Sequence, residues 1–170
     1  MTATATPGAL IRLAINCCRL RSGPQDIAYS PGLLVALIVA SLLLDQVIGS
    51  IIEIKGPLLA RSLLSMALLL ALSWTALTMR GLQQRYVQTA STLVLCAMLF
   101  SVALIPVSLL FGSPAPEDTA LTPIQMLMAW LGLGLIAWKV CVDAHIVRQA
   151  IDAPFSLGVM LALSWAIADW

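Results

Sequence analysis

Five apolar runs fill most of this chain, and four of them begin with proline: Pro31, Pro57, Pro123 and Pro154. Each run is near the length of roughly 20 residues that a helix needs to cross the hydrocarbon core of a bilayer. Inside hydrocarbon, every backbone N–H and C=O must be satisfied within the segment, which leaves the α-helix as the spanning form for runs of this length. Proline suits the first helical turn, where its missing N–H would have had no partner. Composition points the same way. Hydrophobic residues make up 61% of the 170 and charged residues only 10%, against about 25% charged in an ordinary soluble domain. The expected fold is therefore all-α: a polytopic membrane bundle of five transmembrane helices with a short N-terminal amphipathic interfacial helix. A net charge of +1 gives no reason to expect a nucleic-acid partner.

Residues 1–30 read as a cytoplasmic N-terminal segment and 31–170 as the transmembrane domain, with spans at about 32–54, 57–79, 87–111, 123–142 and 154–170. Ser30 before Pro31 has the form of a helix cap. The turn Lys55-Gly56-Pro57 makes the first two spans antiparallel neighbours. Pro106 is expected to kink the third span. The fourth helix should continue past Val142 to about Ile151, with Lys139/Asp143 and Arg148/Asp152 at the i,i+4 spacing of neighbours on one face. The first span is too long for a signal-peptide core and should remain as an anchor. In residues 8–21, Leu10, Ile11, Ala14, Ile15 and Cys18 form an apolar stripe. Arg12, Arg19 and Arg21 lie away from it and should contact anionic lipid headgroups.

Basic residues set orientation. With the N-terminus in the cytoplasm, that side holds Arg12, Arg19, Arg21, Arg80, Arg85, Lys139 and Arg148, and the other holds only Lys55 and Arg61. The reading is a multi-pass protein of a bacterial inner membrane with its C-terminus on the periplasmic side.

Asp45 stands out, because an ionisable residue within a span is costly unless paired or hydrated. With Gln46, Glu53 and Arg61 it forms the candidate intramembrane polar site, and Arg61 is expected near Asp45 or Glu53 across the first hairpin. Gly158, Ala162 and Ala166 recur at four-residue spacing and form a candidate helix-packing face. Cys96 and Cys141 read as small hydrophobes, and Cys17 and Cys18 are adjacent but show no metal-ligand spacing. The single histidine, His145, reads as a solvated surface residue. No phosphate loop, nucleophile elbow or zinc-protease motif occurs, so no catalytic residue, cofactor or metal is expected. The leading expectation is a non-enzymatic inner-membrane accessory or assembly protein, bound to the bilayer and to another membrane protein or a second copy through helix packing. The alternative is a small transporter or channel subunit that uses Asp45.

Over roughly residues 10–170, five helices, a cytoplasmic N-terminal segment, short loops, a C-terminus just past the last span and the Ser22-Gly23-Pro24-Gln25-Asp26 text before the first span resemble, at the level of hydropathy, the Yip1-like membrane proteins. That resemblance implies a non-enzymatic scaffold or adaptor, and it assigns no functional residue.

The charge distribution generates a topology prediction. A reporter fused after Arg85 should read as cytoplasmic and one fused after Trp170 as extracytoplasmic. A cytoplasmic signal at Trp170 would show that the last run does not span.

Overall fold

The computed structural model describes residues 7–53, 56–111, 122–152, 160 and 163. The described residues include the helices α1 (Pro7–Cys18), α2 (Pro31–Ile51), α3 (Leu58–Met79), α4 (Tyr86–Phe111) and α5 (Pro123–Ile151). Short 3-10 turns lie at Pro24–Asp26 and Gln83–Arg85. Among the described residues there is no strand. Four helices, α2 to α5, are long and apolar enough to cross a membrane. The expected fifth span at 154–170, with Gly158, Ala162 and Ala166, lies outside the described residues except for Met160 and Leu163.

The helix ends follow from their sequences. Ser30 Oγ accepts from Leu33 N–H at 3.3 Å, with Pro31 at the first helical position. Thr122 and Gln125 make a reciprocal capping box at the start of α5, so two N-terminal donors find partners. The Gln125 Nε2 amide also donates to the Phe111 carbonyl at 3.2 Å, tying the end of α4 to the start of α5. At the end of α3, Gly81 adopts φ +69. There Gly81 N–H donates to Thr78 O at 3.0 Å and Leu82 N–H to Leu77 O at 2.9 Å. This is a Schellman closure, in which glycine accepts the left-handed conformation without steric cost. α4 continues as helix through Pro106.

α4 occupies the centre and packs against every other helix, most extensively α5 and α2. On one side Leu93, Cys96 and Phe100 meet Leu77, Val142, Ile146, Val147, Ala150 and Ile151. On the other, Val94 and Leu95 meet Ala14, Ile27 and Leu37. The end of the bundle that holds Pro31, Met79, Tyr86 and Ile151, here the proximal end, is clamped by polar contacts. Gln88 Nε2 donates to Ile27 O at 2.7 Å, and Gln25 Nε2 to Gln149 Oε1 at 3.2 Å. Asp152 pairs with Arg85 at 3.0 Å, so its cation comes from the α3–α4 connection rather than from Arg148 one turn back.

The N-terminal helix departs from the sequence expectation in part of its face and in its setting. Of the expected stripe, Ala14 is fully buried and Leu10 and Cys18 are half-buried, whereas Ile11 and Ile15 point outward and Cys17, outside the stripe, is fully buried. The small side chains permit close approach to α4, and the branched ones can face lipid without cost, so packing selects the face that periodicity alone ranks lower. α1 is part of the bundle, not a helix lying apart on its surface. Its end is closed by Leu20 N–H to Cys17 O and Arg21 N–H to Asn16 O, both at 2.9 Å. The indole N–H of Trp138 on α5 donates to Cys18 O at 3.0 Å. Arg12, Arg19 and Arg21 are exposed.

α2 and α3 meet tightly at Gly49, where an added Cβ would overlap the Leu58 side chain. Gly49→Val should therefore lower the yield of folded protein and its thermal midpoint in detergent, by an amount in the about 1–3 kcal/mol range of overpacked sites. Adding Leu58→Ala should restore part of the loss. If the double variant is no better than Gly49→Val alone, the hairpin does not pack at this point.

Candidate functional site

Four helices enclose a polar cavity of about 160 Å³ at mid-height in the bundle. α2 contributes Ser41 and Asp45, α3 Ser62 and Ser65, α4 Ser101, and α5 Lys139. Helical rise explains the convergence. Asp45 lies about 21 Å along α2 from Pro31, Ser65 about 21 Å from Met79, Ser101 about 22 Å from Tyr86 and Lys139 about 18 Å from Ile151. Since each of those starting points is at the proximal end, the polar groups share one level. Ser41 and Asp45 sit one turn apart on α2, and Ser62 and Ser65 one turn apart on α3, so each helix presents a pair.

Charge is concentrated at this level. Lys139 Nζ donates to Asp143 Oδ2 at 2.7 Å, and the Asp143 side chain is only 5% exposed. Asp45 is half-buried at the cavity wall. Three ionisable groups thus stand at or beside one cavity, two acidic and one basic. The hydroxyls are disposed differently from those elsewhere in the helices. Ser73, Thr75, Thr78, Thr89 and Thr92 each turn back and donate to the carbonyl four residues earlier. None of the four cavity serines makes that bond.

The expected polar group is only partly gathered here. Asp45 lines the cavity. Arg61 and Glu53 are exposed, with Glu53 in the turn after α2 at φ +56. From α3 it is Ser62 and Ser65 that face Asp45 across the cavity. Gln46 has a buried amide nitrogen with no hydrogen-bond partner, as does the hydroxyl of Ser91. Lys139, which counted as a cytoplasmic charge in the sequence, is a half-buried cavity residue. Its signal was present as the i,i+4 pair with Asp143. The residues between the pair, Val140, Cys141 and Val142, are apolar and continue the helix through it. The serines carried no signal, because a single serine in an apolar run reads equally well as a small packing residue.

A second convergence involves sulfur: Cys17 of α1 and Cys96 of α4 are buried in one apolar cluster, with Cys18 packed against it. Among the described residues, no group of three or more His, Cys, Asp or Glu could hold a metal ion. His145 is half-buried and hydrogen-bonded to Gln149 at 2.8 Å, so it is fixed in the proximal clamp. Comparison with family models, curated proteins and solved structures finds no match.

The ion pair generates a stability prediction. Removing one partner of a buried pair strands the other, at a cost of about 3–5 kcal/mol, whereas replacing both by apolar groups is far cheaper. Lys139→Met should sharply reduce the detergent thermal midpoint, and Lys139→Met with Asp143→Leu should recover most of it. A double variant as unstable as Lys139→Met would mean that Asp143 is not held by Lys139.

Proposed function

We propose that this protein is a small, non-enzymatic membrane transporter or channel subunit that handles a small polar or charged solute, with Asp45 as its intramembrane polar site. The observation that carries this reading is the cavity of Ser41, Asp45, Ser62, Ser65, Ser101 and Lys139 at mid-height. Polar groups within the hydrocarbon region are expensive, and a bundle that needed only to be a scaffold could fill this level with leucine. A volume of about 160 Å³ has room for several waters, since a bulk water occupies about 30 Å³.

Placement in a bacterial inner membrane, five spans, a cytoplasmic N-terminus and a periplasmic C-terminus complete the proposal. With Lys139 inside the bundle, the basic residues of the cytoplasmic side become Arg12, Arg19, Arg21, Arg80, Arg85 and Arg148, against Lys55 and Arg61, and the asymmetry still supports that orientation. The accessory-protein reading, in which the chain acts by packing against another membrane protein or a second copy, draws on Gly158, Ala162 and Ala166. Those residues lie outside the described set, so the cavity is the stronger ground.

A solute path must admit water, whereas a packed scaffold stays dry. In protein whose four native cysteines are replaced by alanine, Ser62→Cys should react with a small, membrane-impermeant, positively charged methanethiosulfonate. Ser91→Cys, buried on α4 away from the cavity lining, should not. Ser62→Cys as inert as Ser91→Cys would refute the transport reading and favour the accessory one.

A further inference from the structure

We propose that the groove between α1, α4 and α5 binds one acyl chain of an anionic phospholipid, with the guanidinium of Arg19 holding the phosphate. The inference stands apart from the transport reading, because this groove shares no lining residue with the mid-height cavity.

The wall is apolar and carries one cation. Ile15 and Arg19 of α1, Leu99 and Ala103 of α4, and Leu135 and Trp138 of α5 line a groove of about 220 Å³. Ile15, Ala103 and Trp138 are exposed, so the groove opens on the outside of the bundle. Its neutral polar groups are largely spent. The Trp138 indole N–H donates to the Cys18 carbonyl at 3.0 Å. The same indole stands edge-on to Phe100, with ring centroids 5.6 Å apart, which fixes it as a wall. Further along α5, the carboxylate of Asp143 is taken by Lys139 at 2.7 Å. Arg19 is exposed, and among the described residues no carboxylate pairs with it. An apolar slot beside an open cation matches an amphiphile with an anionic head and an aliphatic tail.

Depth and size narrow the ligand. Counted from Pro123 at about 1.5 Å per residue, the roughly 30 Å of hydrocarbon ends near Asp143. Trp138, and with it Cys18 and Arg19, therefore lies little more than a turn inside that edge. Tryptophan is favoured at this depth, and an arginine there can extend to the phosphates. Leu135 on α5 and Ala103 on α4 lie further from the proximal end, so the slot runs inward from the arginine. The volume falls below the about 300–1,000 Å³ of sites for whole small molecules. The groove thus takes a stretch of one chain and leaves the second chain in the bilayer. Left empty, its lining would forfeit dispersion contacts, which an acyl chain supplies. A free phosphate would use Arg19 alone and leave the slot unfilled. A second copy of this chain would have to bring an apolar wedge and an anion to the same point.

The test uses the purified full-length protein in a neutral detergent, given phosphatidylglycerol, phosphatidylcholine with the same chains, or inorganic phosphate. Native mass spectrometry counts the retained lipid, and the thermal midpoint reports stabilisation by whatever binds the folded state. Phosphatidylglycerol should be retained one per protein, in preference to phosphatidylcholine, and should raise the midpoint, whereas inorganic phosphate should not. Arg19→Gln should weaken retention about fivefold, the effect of one basic residue at a membrane surface. Arg12→Gln, on the same helix but outside the groove, should leave retention unchanged. Ala103→Phe fills the slot and keeps Arg19, and it should remove the bound lipid. If that variant fails to fold, Ile15→Trp on the exposed face of α1 carries the same test. Equal retention of the two lipids, equal losses in Arg12→Gln and Arg19→Gln, or a bound lipid that survives filling of the slot would overturn the site. A midpoint raised as much by inorganic phosphate would mean an anion site without a chain. A dimer mass that Ala103→Phe abolishes would give the groove to a second copy. Either result would likewise overturn the lipid site.

Discussion

Thr89 to Cys96 of α4 are buried on every side, and the rest of the bundle is arranged to make that possible. A helix in a bilayer normally keeps one flank to lipid. Here α1, the turn at Pro24–Asp26, α2, α3 and α5 close around a single stretch. Lipid tails are as apolar as leucine, so this burial draws little from the hydrophobic effect and depends on close packing and internal hydrogen bonds. The stretch is suited to that. Thr89 and Thr92 absorb their hydroxyls into their own helix, at 2.9 and 2.8 Å. Ala90, Ser91 and Cys96 are small enough to admit neighbours. With α4 fixed, α1 has a wall to dock on, and the two apolar clusters form on opposite sides of it.

The polar cavity is the complement of this packing. Above the fully buried stretch α4 becomes partly exposed, and at Ser101 its neighbours no longer close tightly. The space left between α2, α3, α4 and α5 is lined by what those helices happen to carry at that level: four hydroxyls, a carboxylate and an ammonium. The Lys139–Asp143 pair extends the polar level toward the proximal end, with Asp143 set into the α5 face formed by Val142, Ile146 and Val147. Burying both charges is tolerable because each supplies the other's strongest hydrogen bond.

Much of the fold was legible in the chain. Ser30-Pro31 marked one helix start, since a capping hydroxyl followed by proline has few other uses, and Pro123 marked another. The second span, expected over 57–79, matches α3 to within a residue. The third span began at Tyr86 rather than 87 and the first ended at Ile51 rather than 54, the ordinary fraying of apolar runs into polar turns. What depended on tertiary register was not legible. The buried face of α1 was read only in part: Ala14 of the expected stripe is buried, but Ile11 and Ile15 look more core-like than Cys17 in water, and lipid removes that distinction. Lys139 was counted among the cytoplasmic charges, although the helix was expected to run on past it to Ile151, because charge counting alone does not tell a cavity-lining ammonium from one at the membrane surface. Asp45 could be singled out as anomalous. Its cavity companions could not, because serines 41, 62, 65 and 101 become one site only when four antiparallel helices are aligned in height.

Chain order adds a consequence for how the protein is made. α4 leaves the ribosome after α1, α2 and α3, but its most extensive partner, α5, follows it. Until α5 arrives, Leu93, Cys96 and Phe100 lack their facing wall, and the Trp138 indole is not yet present to donate to the carbonyl of Cys18. Lys139 comes with the same helix, so the charged level of the bundle is completed in the same late step that seals its centre. A nascent chain halted after α4 would carry Asp45 into the membrane without the ammonium that shares its cavity. The polar cavity is therefore tied to the completion of synthesis, since its α5 wall is made last.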